Sequence, residues 1–160
     1  MNIELFNKTS KRNPTILFII FTIITLGIYQ LFWVFSRTDS LNNITINTSA
    51  VIIEPIQGAT GFITPKDNFL IKLRERCNDT GTILIFDEIQ TCFGRIGSLF
   101  AFQHYNVIPD ILCIAKGMGG GMPIGAFISS WELMNLLTSQ PKLGHITTFG
   151  GHPVNCSASL

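Results

Sequence analysis

The sequence predicts an α/β fold with a mixed, mostly parallel sheet, preceded by one transmembrane helix. Beyond residue 50, short and almost continuously apolar stretches alternate with a helix-patterned stretch. Strands that are apolar along their whole length are typical of sheets covered on both faces, and crossover helices supply that cover. A separate uncharged run, Pro14 to Phe35, predicts the transmembrane helix.

The uncharged run PTILFIIFTIITLGIYQLFWVF has 22 residues. At about 1.5 Å per residue, this length crosses the roughly 30 Å hydrocarbon core of a bilayer. Lys8, Lys11 and Arg12 precede the run, and aromatic residues gather near its end, as expected at membrane interfaces. We therefore predict a membrane-anchor segment over residues 1–39, with a helix at about 14–35 that contacts the lipid bilayer.

Two other interpretations of this run are weaker. A signal peptide has an apolar region of about 7–15 residues that ends at a small-residue cleavage site, and this run is longer and lacks such a site. A buried core helix rarely lacks polar residues on every face.

Residues 40–49 are rich in Asn, Thr and Ser, which predicts a linker to a second unit at residues 50–160. The predicted strands of that unit are Ala50–Glu54, Thr82–Asp87, Ile111–Ala115 and Ala126–Ser130, and its predicted helices are Asp67–Asn78 and Trp131 to about Thr138. The unit has 7 Lys/Arg against 8 Asp/Glu, so no nucleic-acid partner is expected. Its cysteines show no metal-like spacing, so no metal site is expected either.

A lysine, Lys116, stands at the end of an apolar predicted strand and directly before a glycine-rich turn. We expect it to be partly desolvated there, so that its amine can lose its proton near neutral pH and attack a carbonyl. Asp87 ends another predicted strand. A Schiff-base lysine opposite a carboxylate that binds a pyridinium nitrogen is the core of a pyridoxal-phosphate (PLP) site.

An apolar strand that ends in Asp-Glu is also typical of nucleotide hydrolases, where the aspartate helps to hold magnesium. Such proteins need the phosphate loop Gly-x-x-x-x-Gly-Lys-Ser/Thr, which this sequence lacks. Lys116 precedes its glycines rather than following them. Nucleotide binding is therefore the weaker interpretation.

Six short motifs occur in order over about a hundred residues. They are EPIQG at 54–58, FDEIQT at 86–91, FGR at 93–95, PDI at 109–111, AKG at 115–117 and TTFGG at 147–151. Together they resemble the class III aminotransferases, the ornithine, acetylornithine and 4-aminobutyrate group of fold-type I PLP enzymes. The resemblance implies a partial large domain of that fold, pyridoxal 5'-phosphate as cofactor, and transamination between an amino acid or ω-amine and a 2-oxo acid.

The same resemblance implies roles for five residues. Lys116 would form the Schiff base with the cofactor and then shuttle a proton, and Asp87 would keep the pyridine nitrogen protonated. Gln90 would hydrogen-bond near the ring hydroxyl, and Glu54 would shape the substrate side of the pocket. Thr148 would reach the cofactor phosphate of a neighbouring subunit, which implies a homodimer.

The chain also departs from the family pattern. A glycine/serine turn for the phosphate and a C-terminal small domain have no counterpart, so residues 50–160 are expected to be a truncated large domain with impaired transamination. Cys92 stands where the family usually has glycine, which would cost about 1–2 kcal/mol if that position needs a positive φ. The alternative function is a non-catalytic membrane protein, or a chimeric gene remnant that carries a vestigial aminotransferase segment.

The location of the second unit is predicted from two opposing signals. The basic flank predicts that the chain starts in the cytoplasm, and a single crossing would then place residues 40–160 outside. The unpaired cysteines favour the cytoplasm. We expect a single-pass membrane protein whose aminotransferase-like segment is cytoplasmic. Residues 13–38 also resemble the first span of a small uncharacterised prokaryotic membrane domain, which implies no chemistry.

Overall fold

The structure is a computed structural model that describes residues 41, 44–66, 68–138 and 146–160. The predicted anchor segment 1–39, with its helix at about 14–35, lies outside the described residues. Within the described ranges, no helix is long and apolar enough to cross a membrane.

A four-stranded sheet forms the centre of the described part, and its strands lie in chain order. They are β1 (Ala50–Ile53), β2 (Ile83–Asp87), β3 (Ile111–Ile114) and β4 (Ala126–Ser129). The first three strands run parallel and β4 pairs antiparallel with β3. The predicted mixed, mostly parallel sheet is therefore confirmed.

Helices and 3-10 turns connect and flank these strands. The helices are α1 (Phe69–Thr80), α2 (Ala101–Tyr105), α3 (Trp131–Asn135) and α4 (Pro153–Ser157), and the 3-10 turns are Lys116–Gly119 and Leu136–Thr138. Helix α1 forms the crossover between β1 and β2, which lets these strands run parallel. The sequence did not predict α2 or α4, which have only five residues each.

Helix α1 forms because its apolar residues recur at helical spacing. Leu70, Leu73 and Cys77 are buried along one face, three and four residues apart. The helix ends at Gly81, whose φ of 70° is the left-handed conformation that glycine adopts without strain. It begins and ends two residues later than predicted from the sequence.

Apolar residues cover both faces of the sheet, because successive strand residues point to opposite sides. On the face that carries α1, Leu84 and Phe86 of β2 pack with Leu70 and Leu73. On the other face, buried residues of β2 and β3 pack with a residue of α3; they are Ile83, Ile85, Ile111, Cys113 and Leu133. Ile44, within the predicted linker 40–49, is also buried in the first of these clusters.

Candidate functional site

The carboxyl ends of the three parallel strands bring three of the predicted site residues to one edge of the sheet. Glu54 directly follows β1, Asp87 is the last residue of β2, and Lys116 lies two residues beyond β3. The register pairs Ile53 with Phe86 and Asp87 with Cys113, so these strands end nearly level. Ligands of open α/β sheets bind at this edge.

The Lys116 side chain contacts Gln90, which lies in the turn that follows β2. Its Nζ donates a hydrogen bond to Oε1 of Gln90. Lys116 has a φ of 33°, a positive value that is uncommon for a residue with a side chain. Such backbone strain is concentrated at functional sites, where the surrounding structure maintains it.

Lys116 is exposed, so the predicted desolvation of its amine is wrong for the described structure. The strand before it is buried as expected, with Cys113 and Ile114 at 2 % and 6 % exposure. Two residues past the strand, the chain has already left the core. The position of the 3-10 turn Lys116–Gly119 therefore places the amine in solvent.

Asp87 lies on the face of the sheet that also carries Cys113. It is half-buried, and its Oδ1 accepts a hydrogen bond from the backbone N–H of Ile89 at 3.0 Å. Burial, and to a smaller extent the neighbouring Asp87 charge, raises the pKa of the Cys113 thiol to about 12. Asp87 therefore places negative charge beside the carboxyl end of β3.

Glu54 and Gln90 pack around one glycine. The Oε2 of Glu54 accepts a hydrogen bond from the Gly58 N–H at 2.9 Å. A Cβ at Gly58 would stand 3.3 Å from Gln90 Cγ and 3.4 Å from Glu54 Oε2, so the absence of a side chain lets the two approach. The structure thus brings Glu54, Gln90 and Lys116 together through successive contacts.

The glycine-rich turn after Lys116 is held from two sides. A Cβ at Gly117 would stand 3.1 Å from the Cβ of Phe93, which packs closely over the turn. On the other side, Asn155 of α4 donates a hydrogen bond from Nδ2 to the Pro123 carbonyl at 2.7 Å. Phe93 is a site neighbour that the sequence analysis did not single out.

Thr148 lies apart from this group. It occupies an exposed turn ahead of α4, and in the described part of the chain its side chain forms no hydrogen bond with Lys116 or Gln90. A single copy of the described chain therefore does not join Thr148 to the other predicted site residues.

Glu88, which the sequence analysis overlooked, is fully buried next to Asp87. Its carboxylate accepts hydrogen bonds from Thr91 Oγ1 at 3.0 Å, the Ala101 N–H at 2.6 Å and the Phe102 N–H at 2.8 Å. In the sequence, Glu88 is recognisable only as an acidic residue that follows an apolar strand and stands next to Asp87. Two of its three partners are more than ten residues away, so the local pattern could not identify them.

Comparisons with known proteins bear on this arrangement. A sequence model of the class-III aminotransferases matches residues 35–160. A putrescine aminotransferase from Pectobacterium atrosepticum is 50 % identical over 115 residues, which is 71 % of this chain and 24 % of that protein.

Solved structures agree with the sequence match. Ornithine aminotransferase PY00104 from Plasmodium yoelii has a TM-score of 0.70 at 35 % identity, over 77 % of this chain and 33 % of that one. The ornithine aminotransferase from Toxoplasma gondii has a TM-score of 0.69 at 34 % identity, over 82 % and 33 %, and its structure shows partial occupancy of PLP at the active site. The chain thus spans about a quarter to a third of the length of these relatives.

Proposed function

Because this chain belongs to the class-III aminotransferase family, we propose that it carries the lysine-bearing part of a PLP-dependent transamination site. The observation that supports the proposal best is the contact between Lys116 Nζ and Gln90 Oε1 at the carboxyl edge of the sheet that Asp87 and Glu54 share. The proposed substrates are an amino acid or ω-amine and a 2-oxo acid.

The donor set at this edge fits the cofactor. An amine, a carboxylate and an amide, from Lys116, Asp87 and Gln90, match an aldehyde, a ring nitrogen and a ring hydroxyl. When bound, PLP supplies an electron sink for the negative charge that develops at the substrate carbon. The exposed Lys116 amine is accessible to a cofactor that enters from solvent.

Each of these residues would have its own role. Lys116 would hold the cofactor and move a proton at Nζ. Asp87 would hold a proton at the ring nitrogen, because its negative charge favours the protonated form. Gln90 orients the Lys116 amine through its Oε1, and Glu54, tied to Gly58, limits the substrate side of the pocket.

Borohydride trapping tests this assignment. The full chain is incubated with PLP, reduced and mapped by peptide mass spectrometry, with Lys66 and Lys72 as internal controls because both are exposed surface lysines. We expect close to stoichiometric label on Lys116, and a large loss of that label in Asp87→Asn, which keeps the side-chain size but removes the charge. Label spread evenly over the three lysines would refute the proposed site.

We also propose that the active form is a homodimer, in which Thr148 reaches the cofactor phosphate of the neighbouring subunit. The turn around Thr148 exposes apolar side chains, with Ile146 at 64 %, Phe149 at 76 % and Val154 at 56 % exposure. Exposed apolar clusters of this kind are typical of subunit contacts.

Light scattering coupled to gel filtration tests the dimer. Phe149→Asp should convert it to monomer, whereas Trp131→Asp on α3, at 77 % exposure, is a matched control that should leave it dimeric. A monomeric unaltered chain, or equal dissociation by both variants, would contradict the proposal.

We also propose a domain organisation with an anchor at residues 1–39 that contains a membrane helix at about 14–35, a linker at 40–49, and the aminotransferase part at 50–160 on the cytoplasmic side. The family match begins at residue 35, where the uncharged run ends, which supports two separate units. The free cysteines of the second part support a reducing compartment.

The alternative function, a non-catalytic membrane protein, rests on the same run. Carbonate extraction of expressing cells tests the anchor, with Ile24→Lys near the middle of the run as the variant, since a lysine at a helix centre opposes insertion by roughly 2.5–3.5 kcal/mol. Retention of the unaltered chain in membranes and release of the variant would support the anchor. Equal release of both would contradict it. A membrane-bound chain that fails the trapping test would favour the non-catalytic alternative.

A further inference from the structure

We propose that Glu88 is a positioning residue that fixes the turn after β2 and thereby holds Gln90 against Lys116. The inference rests on the proposed function for the role of Lys116. Glu88 has 0 % exposure, although it is a carboxylate directly after the end of β2. A buried carboxylate persists only where its oxygens are hydrogen-bonded.

The two adjacent acidic residues point in different directions. Side chains alternate along β2, so Glu88 follows Leu84 and Phe86 towards the face that carries α1, whereas Asp87 follows Ile85 towards the face of Cys113. Asp87 is therefore placed to act at the site. Glu88 is placed beneath the turn.

Glu88 joins both ends of the turn formed by residues 89–100. At the near end, its carbonyl accepts a hydrogen bond from the Cys92 N–H at 2.9 Å and its Oε2 accepts one from Thr91 Oγ1. At the far end, its two carboxylate oxygens accept from the N–H groups of Ala101 and Phe102. A single side chain thus closes a twelve-residue segment.

The same residue connects this turn to the strand that leads to Lys116. The Glu88 N–H donates to the Cys113 carbonyl of β3 at 2.9 Å. Within the turn, the Phe93 and Phe100 rings meet edge to face, with centroids 5.7 Å apart, and Phe93 packs over Gly117. Movement of the turn would therefore displace both Gln90 and the residue that covers the start of the glycine-rich turn.

Removal of the Glu88 carboxylate would leave three hydrogen-bond donors without an acceptor, two of them backbone N–H groups. Unsatisfied buried donors favour a conformation in which water reaches them. We expect the turn to open and Gln90 to leave the Lys116 amine. Of the two displaced residues, Gln90 contacts the Lys116 amine and Phe93 contacts Gly117. The reactivity of the amine should therefore change through Gln90, and substitution of Glu88 should add nothing once the Gln90 side chain is already absent.

Competitive acetylation tests this coupling in the full chain without PLP. The acetylation rate of Lys116 at about pH 8, divided by that of Lys72, is measured by peptide mass spectrometry. We expect Glu88→Ala to raise this ratio about threefold or more, the order of one lost hydrogen bond, and Gln90→Ala to raise it equally. The Glu88→Ala/Gln90→Ala double variant should match Gln90→Ala alone. Thr91→Val, which removes one donor to Glu88 with little change in volume, should shift the ratio in the same direction.

Asp110→Ala is the control for general loosening, because Asp110 is a largely buried carboxylate at the opposite end of β3. It should destabilise the fold without changing the Lys116 ratio. An equal shift in Asp110→Ala, or additive effects of the Glu88 and Gln90 substitutions, would overturn the inference. If Glu88→Ala does not fold, the test rests on Thr91→Val. An unchanged Lys116-to-Lys72 acetylation ratio in folded Thr91→Val would then overturn the inference. PLP is absent from this assay, so its outcome is separate from that of the trapping experiment.

Discussion

Asp110 is the residue whose substitution should destabilise the described fold most clearly. Its Oδ2 accepts hydrogen bonds from Arg74 Nη1 and from the Leu84 N–H, both at 2.8 Å. It therefore joins α1, β2 and the start of β3 at a single atom. Asp110→Ala removes both bonds at once.

The expected loss of stability follows from the burial of the Asp110 carboxylate and of its two partners, Arg74 and the Leu84 N–H. The Arg74 and Asp110 side chains are only 16 % and 14 % exposed, which makes this ion pair closer to a buried pair than to a surface pair. Loss of one partner of a buried pair costs about 3–5 kcal/mol, whereas exposed pairs contribute about 0–1 kcal/mol. Leu84 is 0 % exposed, so its N–H would also lose its acceptor out of reach of water. We expect Asp110→Ala to lower the free energy of unfolding by about 3 kcal/mol.

Urea unfolding followed by far-UV circular dichroism measures this loss, with Arg74→Leu as the matched variant. Arg74→Leu also removes the ion pair but leaves the bond between Asp110 and the Leu84 N–H, so its cost should be smaller than that of Asp110→Ala by about 1 kcal/mol, the contribution of that bond. For a domain with about 5–15 kcal/mol of stability, the difference is measurable. Equal losses in the two variants, or a loss below about 1 kcal/mol in Asp110→Ala, would refute the reasoning.

Two further predictions concern buried thiols and the glycine-rich turn. Burial raises the pKa of Cys77 and Cys113 from 9.0 to about 11 and about 12, so the stability they contribute is fully present below pH 9 and is lost as the pH rises through those values. Melting temperatures measured between about pH 8 and pH 12 should show that decline in stability, and the decline should be smaller in Cys113→Ala. The same dependence of melting temperature on pH in both proteins would contradict the prediction. A Cβ at Gly119 would stand 2.6 Å from Ile124 Cγ2, so Gly119→Ala should cost about 1–3 kcal/mol. Gly125→Ala, whose Cβ would make ordinary contacts at 3.4 Å or more, is the matched control for the urea measurement, and an equal cost would contradict the steric reasoning.

The strands of the sheet were predictable because their residues are apolar along the whole length. The predicted Ile111–Ala115 and the observed Ile111–Ile114 differ by one residue. Helix α1 was predicted from its periodicity but placed two residues early, since its real end is set by Gly81, a stop signal that the prediction did not use. The five-residue α2 was missed because the Glu88 oxygens that bind its first N–H groups lie 13 and 14 residues earlier in the chain.

The backbone at Cys92 was harder to predict from the sequence. Strain was expected there only if the position needs a positive φ, and in the described structure the two residues that follow, Phe93 and Gly94, have positive φ values of 55° and 83°. Cys92 is instead buried at 1 % exposure, with its thiol 3.6 Å from the Ala115 carbonyl. The motif therefore identified the turn but not which of its residues adopts the unusual conformation.

The relative placement of the site residues depends on strand register more than on any local turn. Glu54, Asp87 and Lys116 are 33 and 29 residues apart in sequence and meet only because β1, β2 and β3 run parallel and end nearly level. A slip of one residue between β2 and β3 would turn Asp87 to the opposite face and bury it among apolar side chains. Because these strands are apolar on both faces, the polar Asp87 at the end of β2, and not the apolar run itself, distinguishes the register that brings the lysine and the carboxylates to one edge. The Lys116 contact with Gln90 needs the further hydrogen bonds of Glu88, which no strand pattern encodes.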